Sequence, residues 1–99
     1  MRLVWTPEAR KDRRAIFGYV STKRPGAALA LDELFAEKAG TLARYPYLGR
    51  LGRVPDTREL VVHQHYILLY DVMGNAVRVL GVLHTARQWP PIQEPAQPA

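Results

Sequence analysis

The spacing of apolar positions changes along the chain, and each change marks an element. "RLVW" (Arg2–Trp5) is short and β-prone and predicts a first strand. Thr6, Pro7 and Glu8 then form a helix start: a capping hydroxyl, a proline suited to the first turn, and an acid at the positive end of the helix dipole. Ala9, Ile16, Phe17 and Val20 give an apolar stripe, so the first helix is expected from Pro7 to about Ser21. "TKRPG" (Thr22–Gly26) breaks the pattern. Ala28, Leu31, Leu34, Phe35 and Leu42 resume it, which predicts a second helix from about Ala27 to Tyr45, with Pro46 ending it. Gly40 lies inside that helix at a cost of roughly 1 kcal/mol relative to alanine, so fraying of its last turns is expected. Two helices joined by a short break predict an antiparallel hairpin.

From Thr57 onward the chain reads as strands: "TRELVV" (Thr57–Val62), "HYILLYDV" (His65–Val72) and "AVRVLGVLH" (Ala76–His84). "HQ" at 63–64 and "MGN" at 73–75 are the expected hairpin turns. The last strand is almost continuously apolar, as suits a central strand covered by the helices. "YPYLGRLGRVPD" (Tyr45–Asp56) is expected to be a loop. The predicted order is β-α-α-β-β-β: an α+β fold with a helical hairpin packed on one face of a curved, mainly antiparallel sheet of about four strands. Residues 1–90 form the expected single domain, and 91–99 a proline-rich disordered tail.

Composition narrows the chemistry. The chain has 99 residues, a formal charge of +5 and a pI of about 10. That balance suits an acidic partner, whether nucleic acid, ribosome or an acidic protein segment, although a plain basic domain has the same composition. Without cysteine there is neither a disulfide framework nor a zinc–thiolate site. No signal-peptide pattern opens the chain and no apolar run is long enough to span a bilayer, so a cytoplasmic protein with no membrane partner is expected.

Few constellations carry chemistry. His63, His65 and His84 could meet around a zinc ion, but 63–64 reads as a turn and no acidic group is spaced to orient the rings, so no metal or other cofactor is assigned. Ser21 has no local base or glycine elbow. Asp56 and Glu59 read as a solvated hairpin rim rather than a carboxylate pair. Arg50, Arg53, Arg58, Arg78 and Arg87 could converge on a polyanion, with His84 as acid or base, or be scattered surface arginines. Arg10, Lys11, Arg13 and Arg14 suit the wet face of an amphipathic helix. Trp89 is either a C-terminal anchor or a partner contact.

Taken together, "WTPEARKDRRAIFGYV", "LARYPYLGR", "TRELVVHQHYILLYDV" and "VRVLGVLHTARQWP" resemble the RelE/ParE superfamily of bacterial toxins over residues 2–90. The resemblance implies a type II toxin held inactive by a cognate antitoxin, whose disordered segment folds around it. It also implies one of two targets. RelE-like members cleave mRNA in the ribosomal A site, using cationic residues and an acid/base; ParE-like members poison DNA gyrase without cutting RNA. With Tyr66 placed on the tyrosine that opens the family's third strand, a RelE-type catalytic arginine falls at Val62. Arg87 matches the arginine after the last strand, and Arg50 and Arg53 match the basic loop loosely. Prolines follow Trp89 where RelE-like chains carry a catalytic tyrosine or histidine. The expectation is therefore a ParE-like gyrase poison, with Arg50, Arg53, Arg78 and Trp89 as target-binding residues. The RelE-like alternative, a ribosome-dependent mRNA endonuclease, would rest on Arg58, His84 and Arg87.

Overall fold

The computed structural model describes residues 1–86; Arg87, Trp89 and the predicted tail at 91–99 lie outside the described residues. The elements are β1 (Arg2–Trp5), α1 (Pro7–Ser21), α2 (Pro25–Arg44), β2 (Arg50–Leu51), β3 (Arg58–His63), β4 (Tyr66–Met73) and β5 (Ala76–His84). They form two helices on one five-stranded sheet of order β1-β5-β4-β3-β2. β1 runs parallel to β5 and every other pair is antiparallel.

The ends of the elements follow local chemistry. The Thr6 hydroxyl accepts from the Ala9 N–H at 3.2 Å and donates to the Val79 carbonyl at 3.0 Å, so one side chain caps α1 and ties its start to β5. α2 begins at Pro25, two residues before the expected Ala27, because proline in the first turn starts a helix rather than breaking it. Gly40 does not interrupt α2, which continues to Arg44. The turn after β3 falls at Gln64–His65, one residue later than expected, and His63 closes the strand. The expected loop at Tyr45–Asp56 contains a strand of two residues, β2, which pairs with β3 and adds the fifth strand.

The core lies between the helices and one face of the sheet. Ala9, Phe35 and Ala39 pack on Val62, Leu68, Val79 and Val82, with Tyr66 edge-on to Phe35 at 5.5 Å. Leu42, Tyr70 and Val77 form a second cluster beside it. β5 carries an extra residue, Leu80, between the pairs Leu69↔Gly81 and Tyr70↔Val79. This bulge resets the alternation, so Val77, Val79 and Val82 all meet the core although their spacings are two and three. Where β1 stops, α1 takes over the open edge of β5: Asp12 Oδ2 accepts from the Val82 N–H at 2.9 Å.

The opposite face follows from the same alternation. Val61, Ile67 and Leu83 are in register across three strands and form an apolar row, with Glu59, Leu69 and Gly81 in the next. Ile67 and Leu69 are buried yet belong to neither helix-side cluster. No described helix is long and apolar enough to cross a membrane.

Candidate functional site

The predicted site residues separate into two groups at opposite ends of the β3–β4 pair. One end is built on tyrosine, arginine and a buried acid. Tyr70 is fully buried, and its hydroxyl donates to the Pro46 carbonyl at 2.8 Å while accepting from the Gly49 N–H at 2.9 Å. Burial raises the Tyr70 hydroxyl above the ordinary tyrosine value, against the opposing pull of the Gly49 N–H and the Arg58 charge. Gly49 fits only because it lacks a side chain: a Cβ there would lie 2.7 Å from the Glu59 carbonyl and 2.8 Å from the Tyr70 ring. One tyrosine thus clamps the "YPYLG" segment to the sheet.

Glu59 is the second anchor of this end, and it is not a solvated rim residue: it is 2% exposed. Its carboxylate accepts from the Arg53 backbone N–H, from Arg53 Nε and Nη2 at 3.1 and 3.2 Å, and from Arg50 Nη2 at 3.3 Å. Burial alone would raise this acid. The hydrogen bonds and charge of Arg53, with Arg50 beside it, outweigh that and hold it below the ordinary glutamate value. Arg50 and Arg53, expected to face a target, spend guanidinium N–H groups on Glu59. Arg78 does the same in a two-point pair with Asp71 across β4 and β5, at 2.9 and 2.6 Å, and Asp71 raises the guanidinium further above its ordinary value.

Arg58 differs. Its Nη1 donates to the Gly49 carbonyl at 2.8 Å, and its guanidinium lies 5.1 Å from the centre of the Tyr47 ring. Among the described residues no carboxylate is within ion-pair distance of it.

The other end gathers all three histidines. The His65 and His84 rings stack at 5.5 Å, and Tyr66 stands edge-on to His84 at 5.4 Å. His63 Nδ1 accepts from the His65 N–H, and His84 Nδ1 accepts from the Ala86 N–H, both at 3.1 Å. Each of these rings, when neutral, therefore carries its proton on Nε2 and has no free lone pair there for a metal. Stacked rings also share no point in both ring planes. No group of three metal-ligating side chains capable of holding an ion occurs among the described residues. His84 lines a groove between α1 and the β5 edge, with Asp12, Ile16, Tyr19, Tyr66 and Val82.

The separation matters for chemistry. Arg58 pairs in register with Tyr70, and His84 with Tyr66. Four residues of strand between them amount to about 13 Å of backbone, and the Arg58 guanidinium is held by the Gly49 carbonyl and the Tyr47 ring while His84 Nδ1 is held by the Ala86 N–H, so the two side chains are not brought together. Val62, the expected position of a catalytic arginine, points into the core. Its neighbours are Val61, in register with Ile67 on the opposite face, and His63, in register with Tyr66, so no arginine is supplied there.

A third feature lies on the helical layer. Arg13 sits 4.4 Å over the Trp5 ring and grips Asp32 with Nε and Nη2, both at 2.9 Å. Arg10, Arg14 and Phe17 line the groove around them. Arg10, Lys11 and Arg14 are exposed and unpaired among the described residues, so the uncompensated charge lies on the helices rather than the open sheet face.

Sequence reasoning missed Glu59, Tyr70 and Asp12 as organising residues. An acid alternating with apolar residues in "RELVV" was the available signal for Glu59. Tyr70 and Asp12 left none, because their partners lie 21 to 70 positions away.

The arrangement is a helical hairpin packed on one mixed five-stranded sheet. Residues 3–89 match the family model described as "ParE toxin of type II toxin-antitoxin system, parDE", and the chain belongs to that family. It is 35% identical to "Putative toxin Y4kP" of Sinorhizobium fredii over 92 residues, 92% of this chain and 95% of that one. It is 36% identical to "Toxin RelE2" of Caulobacter vibrioides over 86 residues, 87% of this chain and 97% of that one. Among solved structures, "Chromosomal ParDE TA system from P. aeruginosa" matches with a TM-score of 0.77 at 25% identity, covering 85% of this chain and 95% of that chain. The protein is a toxin component of a type II toxin–antitoxin system.

Proposed function

We propose that this toxin acts as a ParE-type binding poison of DNA gyrase, released when its cognate antitoxin is lost. The observation that carries the reading is the absence of an assembled ribonuclease constellation among the described residues. His84 and Arg58 stand about 13 Å apart along the sheet. Arg50 and Arg53 share the Glu59 carboxylate and Arg78 is paired with Asp71, and position 62 holds a core valine. Cleavage by the 2′-hydroxyl needs an acid/base and cations around one phosphate. A toxin that works by occupying a protein surface needs neither.

The antitoxin is expected to be acidic or amphipathic. The groove of Trp5, Arg10, Arg13 and Arg14 combines aromatic and apolar surface with positive charge, which suits such a segment.

The test is induced expression with parallel pulse labelling of DNA and protein synthesis, together with gyrase supercoiling in vitro. DNA synthesis is expected to stop first, and supercoiling to be inhibited without mRNA cleavage. His84→Ala and Arg87→Ala are expected to remain toxic. Early arrest of protein synthesis, with mRNA cut on the ribosome and both variants inactive, returns the RelE-like reading.

A further inference from the structure

The loop clamped by Tyr70 and Glu59 displays apolar side chains instead of hiding them. Tyr45, Tyr47, Leu48 and Leu51 are 61%, 63%, 56% and 77% exposed, and Met73, at the overhanging end of β4, is 55% exposed. Tyr47, Leu51, Pro55, Arg58, Val72 and Met73 line one groove of about 700 Å³ beside the β2 edge. Exposed apolar residues on a slack loop would need no explanation. These sit on backbone held by a buried tyrosine, a buried acid and a glycine with no space for a Cβ. Two buried polar anchors serving one short segment indicate that its shape is what the fold preserves. A preformed apolar surface loses little conformational freedom on binding.

The charge around the groove selects the partner. Arg50, Arg53, Arg58 and Arg78 stand against Glu59, Asp56 and Asp71 in this region, four guanidinium groups to three carboxylates, which leaves it weakly positive. Arg58 is the guanidinium here without an acid, and it is already oriented by the Gly49 carbonyl and the Tyr47 ring. We infer that the Tyr45–Leu51 loop, with Arg58 and Met73, is the docking surface for the toxin's protein target. The occupant is an apolar segment that also brings a carboxylate to Arg58. This deepens the gyrase reading and rests on it for the name of the target. A nucleic acid fits less well, since a surface with one uncompensated guanidinium makes few phosphate contacts.

The experiment compares wild type with Leu51→Asp and Met73→Asp, and with Leu29→Asp on exposed α2 as a position control. The readouts are growth arrest, inhibition of purified gyrase, and binding of the purified antitoxin. Each loop variant is expected to weaken gyrase inhibition about tenfold or more and to relieve growth arrest. Both are expected to bind antitoxin like wild type, which also reports that they fold. The two positions are independent, so misfolding of one variant leaves the other decisive. Full toxicity of a folded loop variant overturns the docking surface. Loss of antitoxin binding in both, with the fold intact, assigns the surface to the antitoxin and overturns it as well. Ribosome-dependent mRNA cleavage that is abolished by the loop variants makes RNA the occupant and has the same result. If wild type leaves gyrase untouched but Leu51→Asp still relieves growth arrest, the gyrase reading falls and a protein docking surface stands.

Discussion

The two ends of the β3–β4 pair use polar side chains in opposite ways. At the tyrosine–arginine end, Tyr70 and Glu59 are buried and between them hold Pro46, Gly49, Arg50 and Arg53. At the histidine end, His65 and Gln64 are exposed on a hairpin tip; His63 and His84 accept from nearby backbone N–H groups, and His65 Nε2 meets the Gln64 side-chain amide. The first end spends buried polar groups on fixing a loop; the second joins two strand ends through exposed rings and backbone. Residue types that suggest catalysis, three histidines and an aromatic, occur at the end with the less demanding architecture. The difference teaches that a cluster of titratable side chains is weaker grounds for a working site than buried polar groups spent on holding a segment in shape.

Breaking the clamp should have the largest effect. Gly49→Ala forces a Cβ against the Glu59 carbonyl and the Tyr70 ring and is expected to cost about 2–3 kcal/mol, measured by denaturant unfolding. Growth arrest should be lost with it. A folded Gly49→Ala protein of wild-type stability would mean that the loop is not held as described.

Glu59→Gln should come next, at about 1–2 kcal/mol, discounted because Arg50 and Arg53 are partly exposed. Its pH dependence sharpens the assignment. The Glu59 carboxyl is depressed in the folded state, so its contribution is complete above the ordinary glutamate value of about 4.3 and is lost as pH falls through the lower folded value. Unfolding free energies of wild type and Glu59→Gln should differ fully at neutral pH and converge in that acid window. A constant difference down to the lowest pH would refute the role of the charge.

Tyr70→Phe leaves the Gly49 N–H and the Pro46 carbonyl without their partner and should cost about 1–2 kcal/mol. The raised Tyr70 hydroxyl adds an alkaline signature. Its contribution is whole below about pH 10 and is lost as pH rises through the folded value. The alkaline limb of wild type should therefore be shallower in the phenylalanine variant. At the other end, His65→Ala should change stability by less than about 0.5 kcal/mol and leave growth arrest intact. A large loss there would erase the contrast between the ends.

The order of elements and the α+β class were legible in the sequence because they depend on periodicity and punctuation within windows of ten to twenty residues. The stripe of Ala9, Ile16 and Val20, the proline after Thr6, the glycine at 74 and the apolar run ending at His84 each act on near neighbours. The resemblance to the toxin superfamily was legible for the same reason, as a string of local motifs in order. What the sequence could not decide was which side chains the folded backbone brings together and buries. Glu59 looked like a rim residue because nothing adjacent announces that Arg50 and Arg53 fold over it. Val62 looked like a vacant catalytic position until the pleat of β3 put it in the core. His84 and Arg58 looked like partners until the register placed them at opposite ends of the sheet. Periodicity sets which face of an element is apolar; only the paired strands, with the Leu80 bulge and the β2 edge, determine which polar groups share a neighbourhood, because that depends on register and burial that no local window contains.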